Sequence, residues 1–98
     1  MGTIRWTEEA LGWLEEIHSY ISQDNPAAAQ RVARGIYDKI QSLKDFPQRG
    51  YRYWEREDEE IRILLYGHYR IAYRLLTDDM VEILGIYHGS LDIEKYLS

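Results

Sequence analysis

The chain has 98 residues, 45% of them apolar and 30% charged, with a formal net charge of −5 and no cysteine. That length builds one hydrophobic core, so a single domain over residues 1–98 is expected, too small to enclose a large cofactor between layers. No stretch approaches the roughly 20 consecutive apolar residues of a membrane span, the opening MGTIRW lacks a secretory-signal plan, and three scattered histidines without any cysteine exclude a disulfide framework and a convincing metal site, so a cytoplasmic protein with no cofactor, no metal and no membrane partner is expected.

Thr3 to Trp6 reads as a short opening strand. Thr7 supplies an oxygen suited to cap a helix whose first turn holds Glu8 and Glu9. Ala10, Trp13, Leu14, Ile17, Tyr20 and Ile21 recur at spacings of three and four, which gives that helix an apolar face through about Ser22. Asn25-Pro26 is a second start signal, with Asn25 as cap and Pro26 at the first helical position. Ala29, Val32, Ala33, Ile36, Ile40 and Leu43 continue as an apolar stripe, and the short connection makes the two helices an antiparallel hairpin. Phe46-Pro47 stops the second helix, because the residue before proline is pushed out of the helical region.

From Tyr51 to Glu60 the chain reads as a loop or an irregular edge strand. Ile61 to Tyr66, Tyr69 to Leu76 and Val81 to His88 are rich in β-branched and aromatic residues, broken at Gly67 and at Thr77-Asp78-Asp79, and predict an antiparallel meander. In the middle strand Tyr69, Ile71, Tyr73 and Leu75 share the face that should receive the helices, while Arg70, Ala72 and Arg74 share the other. A two-residue turn at Asp78-Asp79 sets Tyr87 across from Arg70; one more loop residue sets His88 there. Ser90 follows as a candidate cap for a last helical turn through Leu97. The fold class is therefore α+β: a short N-terminal strand, an antiparallel two-helix hairpin packed on a three- to four-stranded mainly antiparallel sheet, and a short C-terminal helical turn.

The charge is uneven. Residues 1–54 carry seven basic and seven acidic side chains, residues 55–60 one and five, and residues 61–98 four and five. Most of the acidity is thus the block Glu55 to Glu60, which reads either as a solvated loop or as a site that repels nucleic acid or receives a basic partner. Arginines in apolar strands, namely Arg62, Arg70 and Arg74, point to a sheet face that meets an anion, an acidic partner or a nucleic acid. Trp54, beside Tyr51, Arg52 and Tyr53, is either tucked against the helices or a partner contact. Trp6, Trp13 and Tyr20 are expected in the core, His18 and His68 at the surface, and His88 either as a buried or capping group or as an acid/base.

The order strand, two helices, three strands, with the words NPAAAQRV, LKDFPQRG, IRILLYGHYRIAYRLL and ILGIYHGSLD, resembles the RelE/ParE superfamily of type II toxins, over nearly the entire chain. The resemblance implies a small toxin neutralised by a cognate antitoxin, with a homodimer or a heterotetramer with the antitoxin as possible assemblies. RelE-like members cut messenger RNA on the ribosome; ParE-like members poison DNA gyrase and are not enzymes. Arg70 and His88 match groups of some cleaving members. Gly89, however, stands where those relatives have a functional tyrosine, the loop offers Arg49 and Arg52 but no catalytic-type lysine, and an acidic chain is poorly suited to a polyanionic partner. Arg62, then Tyr69-Arg70-Ile71-Ala72-Tyr73, then His88-Gly89-Ser90-Leu91-Asp92 look like the ParE pattern.

The resemblance therefore implies a ParE-like, non-enzymatic gyrase poison, with Arg62, Arg70, Arg74, Tyr87 and Trp54 as partner-binding residues. The alternatives are a ribosome-dependent mRNA endoribonuclease that uses Arg70 and His88, and a non-toxic member acting only as an antitoxin-binding co-repressor.

Overall fold

In the computed structural model, Thr7 ends the first strand and starts the first helix with one side chain. Its hydroxyl donates to the Ile83 carbonyl at 2.7 Å and accepts the Ala10 N–H at 3.1 Å, satisfying one of the orphan donors of a helix N-terminus. The structure describes residues 2–56, 59–77, 80–89, 91 and 93–97, and all their side chains but those at 54–56, 77 and 94. Strand β1 (Thr3–Trp6) leads into α1 (Glu8–Ser22), and α2 (Pro26–Gln41) starts on the Asn25 side chain, which accepts the Ala28 N–H at 3.0 Å. A 3₁₀ turn over Ser42–Lys44 extends α2. Both helices begin and end within a few residues of the positions their sequence signals predict.

The rest of the chain is β2 (Tyr51–Arg56), β3 (Glu59–Tyr66), β4 (Tyr69–Thr77), β5 (Met80–His88) and a terminal turn of helix, α3 (Glu94–Leu97). The sheet order is β1-β5-β4-β3-β2, with β1 parallel to β5 and the other neighbours antiparallel. Among the described residues the sheet therefore has five strands rather than three or four. The tract after Tyr51 is a paired strand that bulges at Tyr53, because the partners of Arg52 and Trp54 are the consecutive residues Arg62 and Ile61. Its acidic run is not a solvated loop throughout: Glu59 and Glu60 lie half-buried in β3. Glu57, Asp58, the Asp78-Asp79 turn, Ser90 and Asp92 lie outside the described residues.

Two apolar layers flank the sheet. On the helix side, Ala10, Ile36, Ile40 and Leu43 pack on Leu64, Ile71, Tyr73, Val81, Ile83 and Ile86; each buried Ile, Leu or Val side chain there contributes about 1.5–3 kcal/mol. On the far side, Ile63, Ala72 and Tyr87 are covered by Ile93, with Leu91 and Leu97 beside it. The tail after β5 is thus part of the core. The Tyr66 ring lies against α2 at Gly35, where an added Cβ would meet its hydroxyl at 1.8 Å and displace the ring.

Candidate functional site

Register decides which side chains meet. Across β4 and β5, Arg70 stands opposite Tyr87 and Tyr69 opposite His88, the arrangement expected for a two-residue turn. Two bulges intervene and cancel: Leu84 is extra on β5 and Leu76 is extra on β4. The first bulge lets Ile83 and Ile86 both face the helices while Leu84 joins the far layer. Because neighbours along a strand alternate sides, Arg70 and Tyr87 occupy the far face and Tyr69 and His88 the helix face. Arg70, Tyr87 and His88 share one end of the sheet but not one side of it.

On the far face Arg70 is directed at the tail. Its terminal nitrogen donates to the Leu91 carbonyl at 2.8 Å and lies 3.5 Å from that of Gly89. Tyr87, only 2% exposed, stacks on Tyr96 at 5.1 Å, and Trp13 meets both rings edge-on at 5.1 and 5.3 Å. Trp13 reaches this layer because β1 pairs with β5 only as far as Ile83, leaving the later half of β5 to α1. Burial first, then Tyr96 and Glu9, pushes the Tyr87 hydroxyl above its ordinary pKa. Arg74 bonds Glu82 at 2.9 Å and approaches Glu59 at 3.4 Å, and Glu82, itself 9% exposed, also takes Arg5 at 2.7 Å. A cleft of 220 Å³ remains here, with Arg74, Tyr87, Trp13 and Tyr96 among its walls.

Arg62 lies on the opposite side. It pairs with Tyr73 across β3 and β4, so it faces the helix layer. It is 8% exposed, ion-paired with Glu60, and donates to the carbonyls of Gln48 at 3.0 Å and Gly50 at 2.7 Å. The strand arginines therefore form no single outward cationic face. A buried guanidinium requires such partners, since desolvating it without them costs several kcal/mol.

His88 is exposed at the end of β5, not buried; its ring meets Tyr69 edge-on at 5.7 Å and lies over His68 at 6.2 Å. It sits at the mouth of an apolar cleft of 330 Å³ between α1 and the sheet, whose walls include Trp13, Ile17, Tyr20 and Tyr69. Tyr20, expected in the core, is 75% exposed at the lip of this cleft. Burial, then Tyr20, raises the Tyr69 pKa. A second apolar cleft, of 480 Å³, runs between α1, α2 and β1 along Trp6, Leu11 and Tyr37. The Trp54 side chain lies outside the described residues. Among the described residues no group of three or more His, Asp or Glu could hold a metal ion, and no helix is long and apolar enough to cross a membrane.

The family model of the ParE toxin of the type II toxin–antitoxin system parDE matches residues 4–93 of this chain. The chain belongs to the ParE toxin family. Within the wider RelE/ParE superfamily it is 39% identical over 86 residues to a protein named toxin Y4kP of Sinorhizobium fredii, covering 88% of this chain and 86% of that one. It is 34% identical over 90 residues to toxin RelE2 of Caulobacter vibrioides, covering 92% and 98%. Its fold is similar to a chain of the chromosomal ParDE system of P. aeruginosa, with a TM-score of 0.71 at 20% identity over 90% of this chain and 96% of that one. It is also similar to a chain of the archaeal RelE–RelB complex of Pyrococcus horikoshii, with a TM-score of 0.59 at 14% identity over 91% and 96%.

In this ParE-family chain the polar anchor that sequence reasoning missed is Tyr73. It was legible as a helix-facing aromatic, and it is fully buried, yet its hydroxyl donates to the Pro47 carbonyl at 2.7 Å and accepts the Gly50 N–H at 3.0 Å. Burial raises its pKa, opposed by the Gly50 hydrogen bond and Arg62. Only the proline-induced turn at Phe46-Pro47 signalled a loop that needed such anchoring.

Proposed function

We propose that the chain is a ParE-like toxin that arrests bacterial growth by inhibiting DNA gyrase, is not an enzyme, and is neutralised by a cognate antitoxin. The observation that carries the non-enzymatic reading is the placement of Arg70 and His88 on opposite faces of the sheet. RNA cleavage needs a base at the 2′-OH, a cation at the phosphate and an acid at the leaving oxygen, all converging on one linkage. Here the Arg70 guanidinium is bonded to the Leu91 carbonyl, and Tyr87 is buried beneath Tyr96. The family match supports a toxin, and the ParDE fold relative supports the gyrase-directed branch.

An antitoxin is supported by two apolar clefts beside α1, of 330 and 480 Å³, which suit the apolar face of a partner helix. Arg74 and Tyr87, walls of the far-face cleft, remain partner-contact candidates, whereas Arg62 serves the partner surface indirectly through the loop it holds. The test is purified protein added to gyrase and plasmid: loss of supercoiling with trapped, cleaved DNA is expected. Normal supercoiling with no trapped product overturns the proposal.

A further inference from the structure

The segment between α2 and β2, Phe46 to Gly50, is held from beneath by two buried side chains of the sheet. Tyr73 bonds the Pro47 carbonyl and the Gly50 N–H; Arg62, balanced by Glu60, bonds the Gln48 and Gly50 carbonyls. The Arg49 N–H closes a turn on the Phe46 carbonyl at 3.1 Å, with proline at the second turn position, where its fixed φ is favourable. A buried ion pair adds little stability over an apolar replacement of the same shape. Its effect here is to keep these five residues in one backbone geometry.

That backbone turns two side chains outward. Phe46 is 63% exposed, directly after a stretch in which Leu43 is fully buried, and Arg49 is exposed beside it. Both stand at an open depression of 620 Å³ whose walls, among the described residues, also include Pro47 and Gln48. The charge of the segment itself has the same sign as Arg49: residues 44–52 hold three basic side chains and one acidic, whereas Arg5, Arg62 and Arg74 are ion-paired within the sheet and Arg70 is bonded to main chain.

A preordered turn carrying an exposed aromatic and an arginine has the character of a binding anchor, since little ordering entropy is lost on contact. We infer that the Phe46–Arg49 turn is where this toxin contacts its target, and that the matching surface is an apolar pocket rimmed by carboxylates on a folded protein. This rests on the gyrase reading above and assigns the pocket to the gyrase protein rather than to its DNA. One arginine beside a phenyl ring on a chain of net charge −5 lacks the clustered cations that phosphate binding requires. An antitoxin helix is matched instead by the concave clefts beside α1.

The experiment compares wild type, Phe46→Ala, Arg49→Glu and Tyr73→Phe for gyrase inhibition and for binding to purified gyrase subunits without DNA. Phe46→Ala and Arg49→Glu change exposed side chains, so their melting transitions stay close to wild type while inhibition weakens at least about tenfold. Tyr73→Phe acts through positioning: it gives a smaller loss of inhibition together with faster amide exchange at Gly50, which the two surface variants do not show. Inhibition by wild type that both surface variants retain in full overturns the contact and leaves the gyrase reading standing. An inactive wild type sinks that reading and the contact with it, and binding that appears only when DNA is present overturns the assignment to a protein pocket.

Discussion

Arg70 and His88 lie on hydrogen-bonded neighbouring strands and leave the sheet on opposite sides, Arg70 across from Tyr87 and His88 across from Tyr69. A one-residue slip would put His88 across from Arg70, because side chains alternate faces with a period of two. What prevents it is the pairing of Thr77 with Met80 at one end and the two mutually cancelling bulges between. The register thus separates two residues that a cleaving enzyme would bring together.

His88→Ala is therefore expected to leave growth arrest and gyrase inhibition unchanged. The residue is exposed and its removal takes away the edge-on contact with Tyr69, so stability falls by no more than about 1 kcal/mol. Growth curves after induction and a chemical melt check both halves of this expectation.

Arg70→Ala removes the charged donor at the Leu91 carbonyl. The bond is only partly buried, so the loss is about 1 kcal/mol, below the usual range for a charged hydrogen bond. Amide exchange should quicken at Tyr96 and Leu97, whose N–H groups bond the Ile93 carbonyl, while the α1 and α2 amides keep their protection.

Arg62→Met leaves Glu60 without its cation and two loop carbonyls without donors. Breaking one side of a buried pair costs about 3 kcal/mol or more, whereas replacing both sides with apolar residues can be nearly neutral. Arg62→Met with Glu60→Leu should recover much of the lost stability in a denaturant titration, but not the order of the Phe46–Gly50 turn.

High pH should destabilise the fold through Tyr69, Tyr73 and Tyr87, whose hydroxyls all titrate above the ordinary value because burial disfavours the phenolate. A raised folded-state pKa leaves stability whole below the unfolded value of about 10 and removes it as pH climbs through the folded one. Melting temperatures should hold from pH 7 to about 9.5 and fall beyond it. Tyr87→Phe, which deletes one of these titrating hydroxyls, should flatten that fall.

Much of this architecture is legible in the chain because its signals are local. Thr7, Asn25 and Pro26 mark helix starts, and the short break at Gly67 together with the pairing of Thr77 with Met80 sets strand order and the Arg70 to Tyr87 register. β2 was less legible: Glu59 and Glu60 look like part of a water-loving run. The pairing of Arg62 with Glu60, two residues apart on one strand face, is open to a reading of the sequence as a salt bridge that pins this run, whereas no local pattern connects Glu59 to Arg74 on the next strand. The arginines misled for the same reason, since a guanidinium on a strand reads as a surface group unless its carbonyl and carboxylate partners are known. Tyr20 follows the helical period of the core residues yet stands at a cleft lip, a position that periodicity alone does not distinguish.

The most direct measurement is transcript mapping in cells arrested by induction of the wild-type chain. Growth arrest with full-length messages is the predicted result. Messages cut within translated regions, with cutting lost in His88→Ala, would contradict the account and return Arg70 and His88 to catalysis.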